Sequence, residues 1–381
     1  MKRKIIGTFA GLALATGLGL SQAAAADDYL TMSWDDIAAA ATKEGSVNVY
    51  TFANEDWLHA MAKEFQAKYG IPVTVVVGDE DANLQKALAE KDKAEGTIDV
   101  YWLGGGNIIQ NLVKGKMLYG PIASKIPGTE KVNPDYLKFQ EGVPINGYAV
   151  PINDDHTGLI YNPDRVKNPP QTWDDMVKFI HDNPQQFAFN DPAHGGSGQA
   201  FVQAAIINTL GDQDKYMGDL DRDPTKVADW GKVWDWFNSI KPNVVITNGN
   251  RDSLDRLNQG EVSLAAAWES DTIVGRKEGT LPKNAVFYIP DFGMPGGADS
   301  LGILQNAPDK AAALLFIAYV MGPAQQAELY QLQGSLSARL DVVPSDAQIG
   351  MDEISKNSRL WIAGPYKSHF IDEFTKQVLQ H

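Results

Sequence analysis

Short apolar runs alternate along the first part of the chain with segments whose apolar residues recur every three or four positions. The runs at 47–52, 73–77 and 98–103 predict β-strands, because an unbroken apolar run suits a sheet that is covered on both faces. The segments at 55–69 and 82–94 predict amphipathic helices between these strands. This alternation predicts an α/β fold with a mostly parallel sheet flanked by helices.

The alternation stops at 119–146, an irregular stretch with several prolines and glycines, and resumes with predicted strands at 148–152 and 157–161. At 381 residues the chain is too long for one ordinary hydrophobic core. The interruption therefore predicts a passage into a second α/β lobe. The predicted division assigns residues 27–152 plus 272–325 to lobe 1, and residues 153–271 plus 326–381 to lobe 2.

One predicted strand ends in a group of side chains that could contact a ligand. The apolar run at 262–267 is followed directly by Trp268, Glu269, Ser270 and Asp271. Open α/β sheets bind their ligands outside the carboxyl ends of the strands. We therefore take Trp268 and Glu269 as candidate ligand contacts.

Similar side chains adjoin the other predicted strands. They are Asn54 and Trp57 after the first strand, Trp102 at the end of the third, Asp155 between the two crossing strands, and Asp299 before a strand at 301–304. Aromatic faces and unpaired carboxylates together suit an organic cation.

Two glycine-rich segments indicate a different ligand chemistry. The segments 104–106 and 195–198, the second containing Ser197, both lead into predicted helices. Backbone amides at a helix N-terminus favour a phosphate or carboxylate group. Together with the acidic strand ends, these segments leave a zwitterionic ligand open.

Charge and composition narrow the class of protein. The formal net charge is −15, which disfavours nucleic acid and anionic membranes as partners. Cysteine is absent, so disulfides, thiolate metal sites and a lipid on an N-terminal cysteine are excluded. Basic residues 2–4, an apolar run at 5–20 and three alanines at 24–26 predict a cleavable signal peptide at 1–26. We expect a soluble, unlipidated periplasmic protein.

Enzymatic patterns are weak in this sequence. There is no Gly-x-Ser-x-Gly elbow, and the six histidines form no His-Glu-x-x-His pattern. We therefore expect neither a metal nor a cofactor. The pair Glu269 and Asp271 leaves a secreted carboxylate-dependent hydrolase open as an alternative.

Four segments carry a resemblance to a known group of proteins. They are GLIYNPDRVKNPPQTWDDMV at 158–177, LNQGEVSLAAAW at 257–268, ADSLGIL at 298–304 and AAALLFIAYVMGPAQQAEL at 311–329. The chain resembles the exported solute-binding proteins of ABC importers, in the group that holds polyamine, thiamine and ferric-iron receptors. The resemblance implies a two-lobe periplasmic-binding-protein fold of type II, with crossing strands and a ligand held between the lobes.

The resemblance also has implications for single residues. Trp268 falls where spermidine and putrescine receptors carry a stacking tryptophan, and Asp299 falls on their amine-binding aspartate. Gly297 departs from the pattern, because those receptors have a second tryptophan there. Glu269 and Ser270 stand where iron receptors have a tyrosine pair, which argues against iron.

These observations lead to one main expectation. We expect a monomeric, non-enzymatic capture protein that closes on a small cationic or zwitterionic solute and docks on an inner-membrane ABC permease. A ligand sensor that serves a chemoreceptor stays open as another alternative. The expected ligand contacts are Asn54, Trp57, Trp102, Asp155, Ser197, Trp268, Glu269 and Asp299.

Overall fold

A computed structural model describes residues 28–380. The predicted signal peptide at 1–26 lies outside these residues. The strands are β1 Val47–Thr51, β2 Val73–Val77, β3 Val100–Leu103, β4 Phe139–Gln140, β5 Val143–Pro144, β6 Ala149–Pro151, β7 Asn153–Tyr161, β8 Phe187–Asn190, β9 Val244–Thr247, β10 Leu264–Trp268, β11 Val286–Tyr288, β12 Met294–Gly297, β13 Ser300–Ile303, β14 Leu336–Ser337 and β15 Ser358–Arg359.

Side-chain caps fix the first turns of two of the α-helices. Ser33 caps the first helix by accepting a hydrogen bond from the Asp36 amide, and Thr172 forms a capping box with Asp175. The helices are α1 Trp34–Glu44, α2 Glu55–Tyr69, α3 Glu80–Glu90, α4 Gly106–Lys114, α5 Pro134–Lys138, α6 Trp173–Asp182, α7 Gly196–Leu210, α8 Gly231–Ile240, α9 Asn250–Gln259, α10 Glu269–Glu278, α11 Lys310–Val320, α12 Pro323–Gln333, α13 Met351–Asn357 and α14 Gly364–Phe374.

The first lobe is built on a five-stranded sheet in the order β2-β1-β3-β13-β6. Strands β1, β2 and β3 run parallel, and β13 is antiparallel to both of its neighbours. The prediction of a mostly parallel sheet is therefore confirmed for this lobe. The carboxyl end of β3 and the start of β13 lie side by side, since Leu103 pairs with Ser300.

The second lobe has its own sheet, in which β9, β8 and β10 run parallel and β10 pairs antiparallel with β7. The sequence predicts a polar break at 153–156 between two strands, but β7 runs without interruption from Asn153 to Tyr161. Partners on several sides stabilise this segment, because β14 pairs with residues 153–154 and β12 with residues 155–156. Asp155 thus lies within a strand that leaves the first lobe, and not on a loop.

Core packing divides the chain differently from the predicted boundaries. Ile273, Phe287 and Met294 pack in the core of the second lobe, whereas Leu314 and Leu329 pack in the core of the first. We propose that lobe 1 comprises residues 28–152 and 298–340, and lobe 2 residues 153–297 and 349–380.

The lobes touch each other through α4 of lobe 1 and segments of lobe 2. The Gln110 side-chain amide donates to the Leu220 carbonyl oxygen at 2.5 Å, and Lys114 pairs with Asp221. The backbones also meet, because a Cβ added to Gly364 would lie 2.7 Å from the carbonyl carbon of Gly106. These contacts close the cleft. Within residues 28–380, no helix is long and apolar enough to cross a membrane.

Candidate functional site

A cavity of about 540 Å³ lies between the two lobes. Lobe 1 contributes the segments after β1 and β3, the start of α3, the β4–β5 turn and the segment before β13. Lobe 2 contributes β7, the start of α10, and residues of α7, α9 and α14. The residues of chemical interest in its lining are Phe52, Glu80, Gly104, Gly105, Gly106, Glu141, Asn153, Asp155, Gly196, Gln199, Asn250, Trp268, Ser270, Asp271, Gly297, Asp299, Trp361, Lys367 and Ser368.

Trp268 forms part of an aromatic wall in this cavity. It is the last residue of β10, and its ring lies 5.9 Å from that of Trp361, centroid to centroid, at an angle of 37°. The helix α7 begins directly against the indole, since a Cβ on Gly196 would approach Trp268 Cζ2 to 2.6 Å. Glycine at 196 therefore lets the indole lie against the helix backbone.

Asp155 projects into the cavity from β7 and is held by the start of α10. Ser270 donates to its carboxylate from the hydroxyl at 2.5 Å and from the backbone amide at 3.2 Å. Burial raises the pKa of Asp155 to about 7, although the Ser270 hydroxyl opposes the shift. The Asp271 charge contributes to this increase. A cationic group in the cavity would stabilise the ionised form.

Asp299 reaches the cavity from the segment between β12 and β13. Its carboxylate accepts a hydrogen bond from the Trp102 indole at 3.1 Å, and its backbone amide donates to the Asn153 side chain at 2.7 Å. Burial raises the pKa of Asp299 to about 7, and the charges of Glu141, Glu80 and Asp155 add to the increase. The last effect indicates that carboxylates of both lobes act on one another across the cavity.

Three charged residues that the sequence analysis missed also line the cavity. Glu80 starts α3, Glu141 lies in the turn between β4 and β5, and Lys367 projects from α14. Lys367 Nζ lies 2.6 Å from Glu141 Oε2. No motif marks these positions, because each lies on an element whose apolar pattern is that of an ordinary surface turn or helix.

At least one amide in each glycine-rich segment is already bonded to a side chain of the protein. The Gly105 amide donates to Glu80 Oε1 at 2.7 Å, so a carboxylate of the protein already occupies that helix N-terminus. The Gly198 amide donates to Asn190 Oδ1 at 2.7 Å. These contacts weaken the expectation of an anionic group on the ligand.

Several of the predicted contacts lie outside the cavity. Trp57 is fully buried in the lobe 1 core and donates to the Gln325 carbonyl at 2.9 Å. Asn54 precedes α2 and does not line the cavity. Ser197 is buried behind the lining and bonds to Asn190 at 2.6 Å and Asn250 at 2.9 Å. Trp102 is buried too, and it acts on the cavity only through Asp299.

Glu269 belongs to a buried polar cluster rather than to the cavity lining. Its side-chain oxygens have no hydrogen-bond partner among the described residues, and burial raises its pKa to about 8 despite the opposing charge of His156. His156 Nε2 lies 3.2 Å from Asp154 Oδ1, which also accepts a hydrogen bond from the Tyr136 hydroxyl at 2.8 Å. Burial lowers the His156 pKa, but the charge and hydrogen bond of Asp154 together with the charges of Glu269 and Asp155 outweigh burial and raise that pKa to about 9.

The lining has a strong excess of negative charge. It includes the carboxylates of Glu80, Glu141, Asp155, Asp271 and Asp299, and Lys367 is the one cationic side chain among the described residues that line it. Between residues 28 and 380, no group of three or more His, Cys, Asp or Glu side chains is arranged to hold a metal ion. Carboxylates beside an indole wall suit an organic cation.

Two curated relatives share sequence with much of this chain. A putrescine/agmatine-binding protein of Pseudomonas aeruginosa is 24% identical over 227 residues, which cover 57% of this chain and 59% of the relative. The putrescine-binding periplasmic protein SpuD of Pseudomonas aeruginosa is 25% identical over 278 residues, which cover 70% of this chain and 71% of the relative. The chain thus matches less than two thirds of the first relative.

Solved structures share the fold. The spermidine/putrescine ABC transporter substrate-binding protein PotD of Streptococcus pneumoniae superposes with a TM-score of 0.66 at 16% identity, over 88% of this chain and 98% of that protein. This likeness confirms the predicted two-lobe fold of type II. Residues 60–357, more than half of the chain, match the sequence profile of one family. The chain belongs to the family of bacterial extracellular solute-binding proteins.

Proposed function

We propose that this protein is the periplasmic substrate-binding component of an ABC importer, and that it captures a small organic cation between its lobes. The observation that carries the proposal is the cavity itself, in which carboxylates from both lobes surround an indole wall. Asp155, Trp268 and Asp299 are the central contacts. The putrescine-binding relatives support a cationic ligand class.

Capture follows from the distribution of these contacts. Asp299 belongs to lobe 1, whereas Asp155 and Trp268 belong to lobe 2, so one cation meets all three only in the closed form. Ligand binding therefore shifts the equilibrium between open and closed forms towards closure. A shift from 1:99 to 99:1 requires about 5.5 kcal/mol of differential binding, which a few buried charge and aromatic contacts supply. The closed protein then docks on the permease.

Calorimetric titration of ligand-free protein tests the ligand class. Small amines and quaternary ammonium compounds should bind, whereas dicarboxylates and sugar phosphates of similar size should not. Asp155→Asn should weaken amine binding at least tenfold, because it removes a charge that faces the cation. Asp174→Asn is the matched control, since Asp174 is exposed on α6 and away from the cavity. Preferred binding of anions would refute the proposal.

Two further measurements distinguish the alternative functions. Purified protein incubated with its ligand should return that ligand unchanged in mass, whereas a hydrolase would convert it. Reconstituted vesicles that hold the cognate permease should accumulate the ligand only when the binding protein is added. A protein that serves solely as a sensor would give no accumulation. Native mass spectrometry of protein purified from its source would identify the trapped ligand directly.

A further inference from the structure

Lys367 places a cation of the protein inside the cavity. Its ammonium nitrogen lies 2.6 Å from Glu141 Oε2 and 4.0 Å from the centroid of the Trp361 ring. A carboxylate and an aromatic face are the two features by which proteins bind an ammonium group. Lys367 therefore occupies a complete cation subsite.

This subsite is well enclosed and spans both lobes. The side chains of Lys367 and Glu141 are 15% and 11% exposed, so water screens their charges only weakly. Lys367 belongs to α14 in lobe 2, and Glu141 belongs to the β4–β5 turn in lobe 1. The ion pair thus joins the two lobes across the cleft.

A second group of carboxylates beside an indole has no cationic side chain of its own among the described lining residues. Asp155, Asp271 and Asp299 line the cavity together with Trp268. Burial raises the pKa of Asp271, and the charge of Arg251, which lies outside the lining, opposes this increase. Trp268 and Trp361 are neighbours in the aromatic wall. The cavity therefore contains two similar subsites, of which the one at Trp361 is already occupied by Lys367.

We propose that Lys367 is a specificity-determining residue that fills the second cation subsite, so that the cleft accepts solutes with one cationic group and rejects diamines. This inference rests on the proposed function, and it narrows the substrate class from organic cations to monocations. A diamine that places one ammonium group at Asp155 and Asp299 brings the other towards Lys367. Like charges brought together in an enclosed site are strongly unfavourable. The uncharged end of a monocation brings no charge that Lys367 would repel.

A matched pair of amines tests this inference. The compounds 1,4-diaminobutane and 4-amino-1-butanol have the same chain length, and a hydroxyl group replaces one ammonium group in the second. Calorimetric titration of the full mature protein should show at least tenfold tighter binding of the amino alcohol. In Lys367→Met, Glu141 and Trp361 become available to the second ammonium group. The preference should then reverse, with at least tenfold tighter binding of the diamine.

Two further variants establish the origin of the reversal. In the double variant Lys367→Met/Glu141→Gln, the diamine should lose its advantage, because its second ammonium group no longer has a carboxylate partner. Lys43→Met, on the exposed surface of α1, should leave both affinities unchanged. Thermal unfolding of each variant shows whether it is folded.

The outcomes separate this inference from the proposed function. Tighter binding of the diamine by the unmodified protein, or an unchanged preference in Lys367→Met, would overturn the inference while leaving a cation-binding protein. Binding of neither amine would overturn the inference, and preferred binding of dicarboxylates or sugar phosphates in the same titrations would overturn the proposed function as well.

Discussion

Replacement of Asp299 by asparagine should change stability and ligand binding in opposite directions. Burial and the neighbouring carboxylates raise the pKa of Asp299 from 3.8 to about 7, so its ionised form is unfavourable in the ligand-free folded protein. Asparagine has nearly the same shape, and its amide oxygen can still accept the Trp102 hydrogen bond. The variant therefore removes the charge while retaining the packing.

The size of the effect on stability follows from the pKa shift. A carboxyl group whose pKa is higher in the folded state stabilises the fold below its unfolded pKa, and this contribution is lost as the pH rises through the folded pKa. Each pKa unit corresponds to about 1.4 kcal/mol. Between pH 5 and pH 8, the stability of the variant relative to the unmodified protein should therefore increase by about 2–3 kcal/mol.

Urea denaturation of ligand-free protein at pH 5 and pH 8 measures this difference. The same variant should bind the cationic ligand with about 2 kcal/mol less free energy, because the partner of a buried charge is lost. Asp174→Asn should show neither effect. If the stability difference between Asp299→Asn and the unmodified protein did not change with pH, the reasoning about a desolvated carboxylate at this position would be refuted.

Four other changes have defined outcomes. Trp268→Ala should weaken cation binding by about 1–2 kcal/mol in calorimetric titration, because it removes a cation–π partner, and it should leave the folded structure intact. The affinity for a monocation should rise from pH 5.5 to pH 8 in titrations at fixed ionic strength, since Asp155 and Asp299 ionise near pH 7. Gly364→Ala should hinder closure, because its Cβ would meet the Gly106 backbone; scattering with saturating ligand should then give a larger radius of gyration. Trp57→Ala should reduce the free energy of unfolding by about 3–5 kcal/mol in urea titration, because it empties a fully buried core position.

Particular results would contradict these four predictions. An unaltered affinity in Trp268→Ala would show that this indole does not contact the ligand. An affinity that falls with rising pH would show that the cavity carboxylates do not contact the ligand's charge. Equal radii of gyration for Gly364→Ala and the unmodified protein would exclude the backbone contact as the limit to closure. An unchanged free energy of unfolding in Trp57→Ala would show that this buried indole does not stabilise the lobe 1 core.

The helices and strands could be predicted from the sequence because each kind of element has its own local pattern of apolar residues. The helix predicted at 55–69 and the strand predicted at 73–77 have those bounds in the structure. The supposed break at 153–156 differs, because polar residues there pair with β12 and β14, which come from distant parts of the chain. Pairing across such separations leaves no periodic pattern in the strand itself.

The sequence could predict residues of the cavity only close to the ends of predicted strands. Trp268 and Asp299 lie in the cavity next to the ends of strands, whereas Asp155 reaches the cavity from within β7, where the sequence analysis expects a break between two strands. Trp57 also follows a predicted strand closely, but its side chain packs in the core of lobe 1. Trp361 and Lys367 reach the cavity from the C-terminal part of the chain, and only the docking of α14 against α4 brings them there.

The acidic lining has a consequence for the balance between the open and closed forms of the cleft. In the closed cleft, carboxylates of both lobes lie close together, and Lys367 is the one cationic side chain among the described lining residues that offsets their repulsion. The repulsion that remains favours separation of the two lobes, so the charge of a bound cation would add to the stability of the closed form. A cationic ligand would then be both the molecule that is captured and the charge that stabilises the closed form.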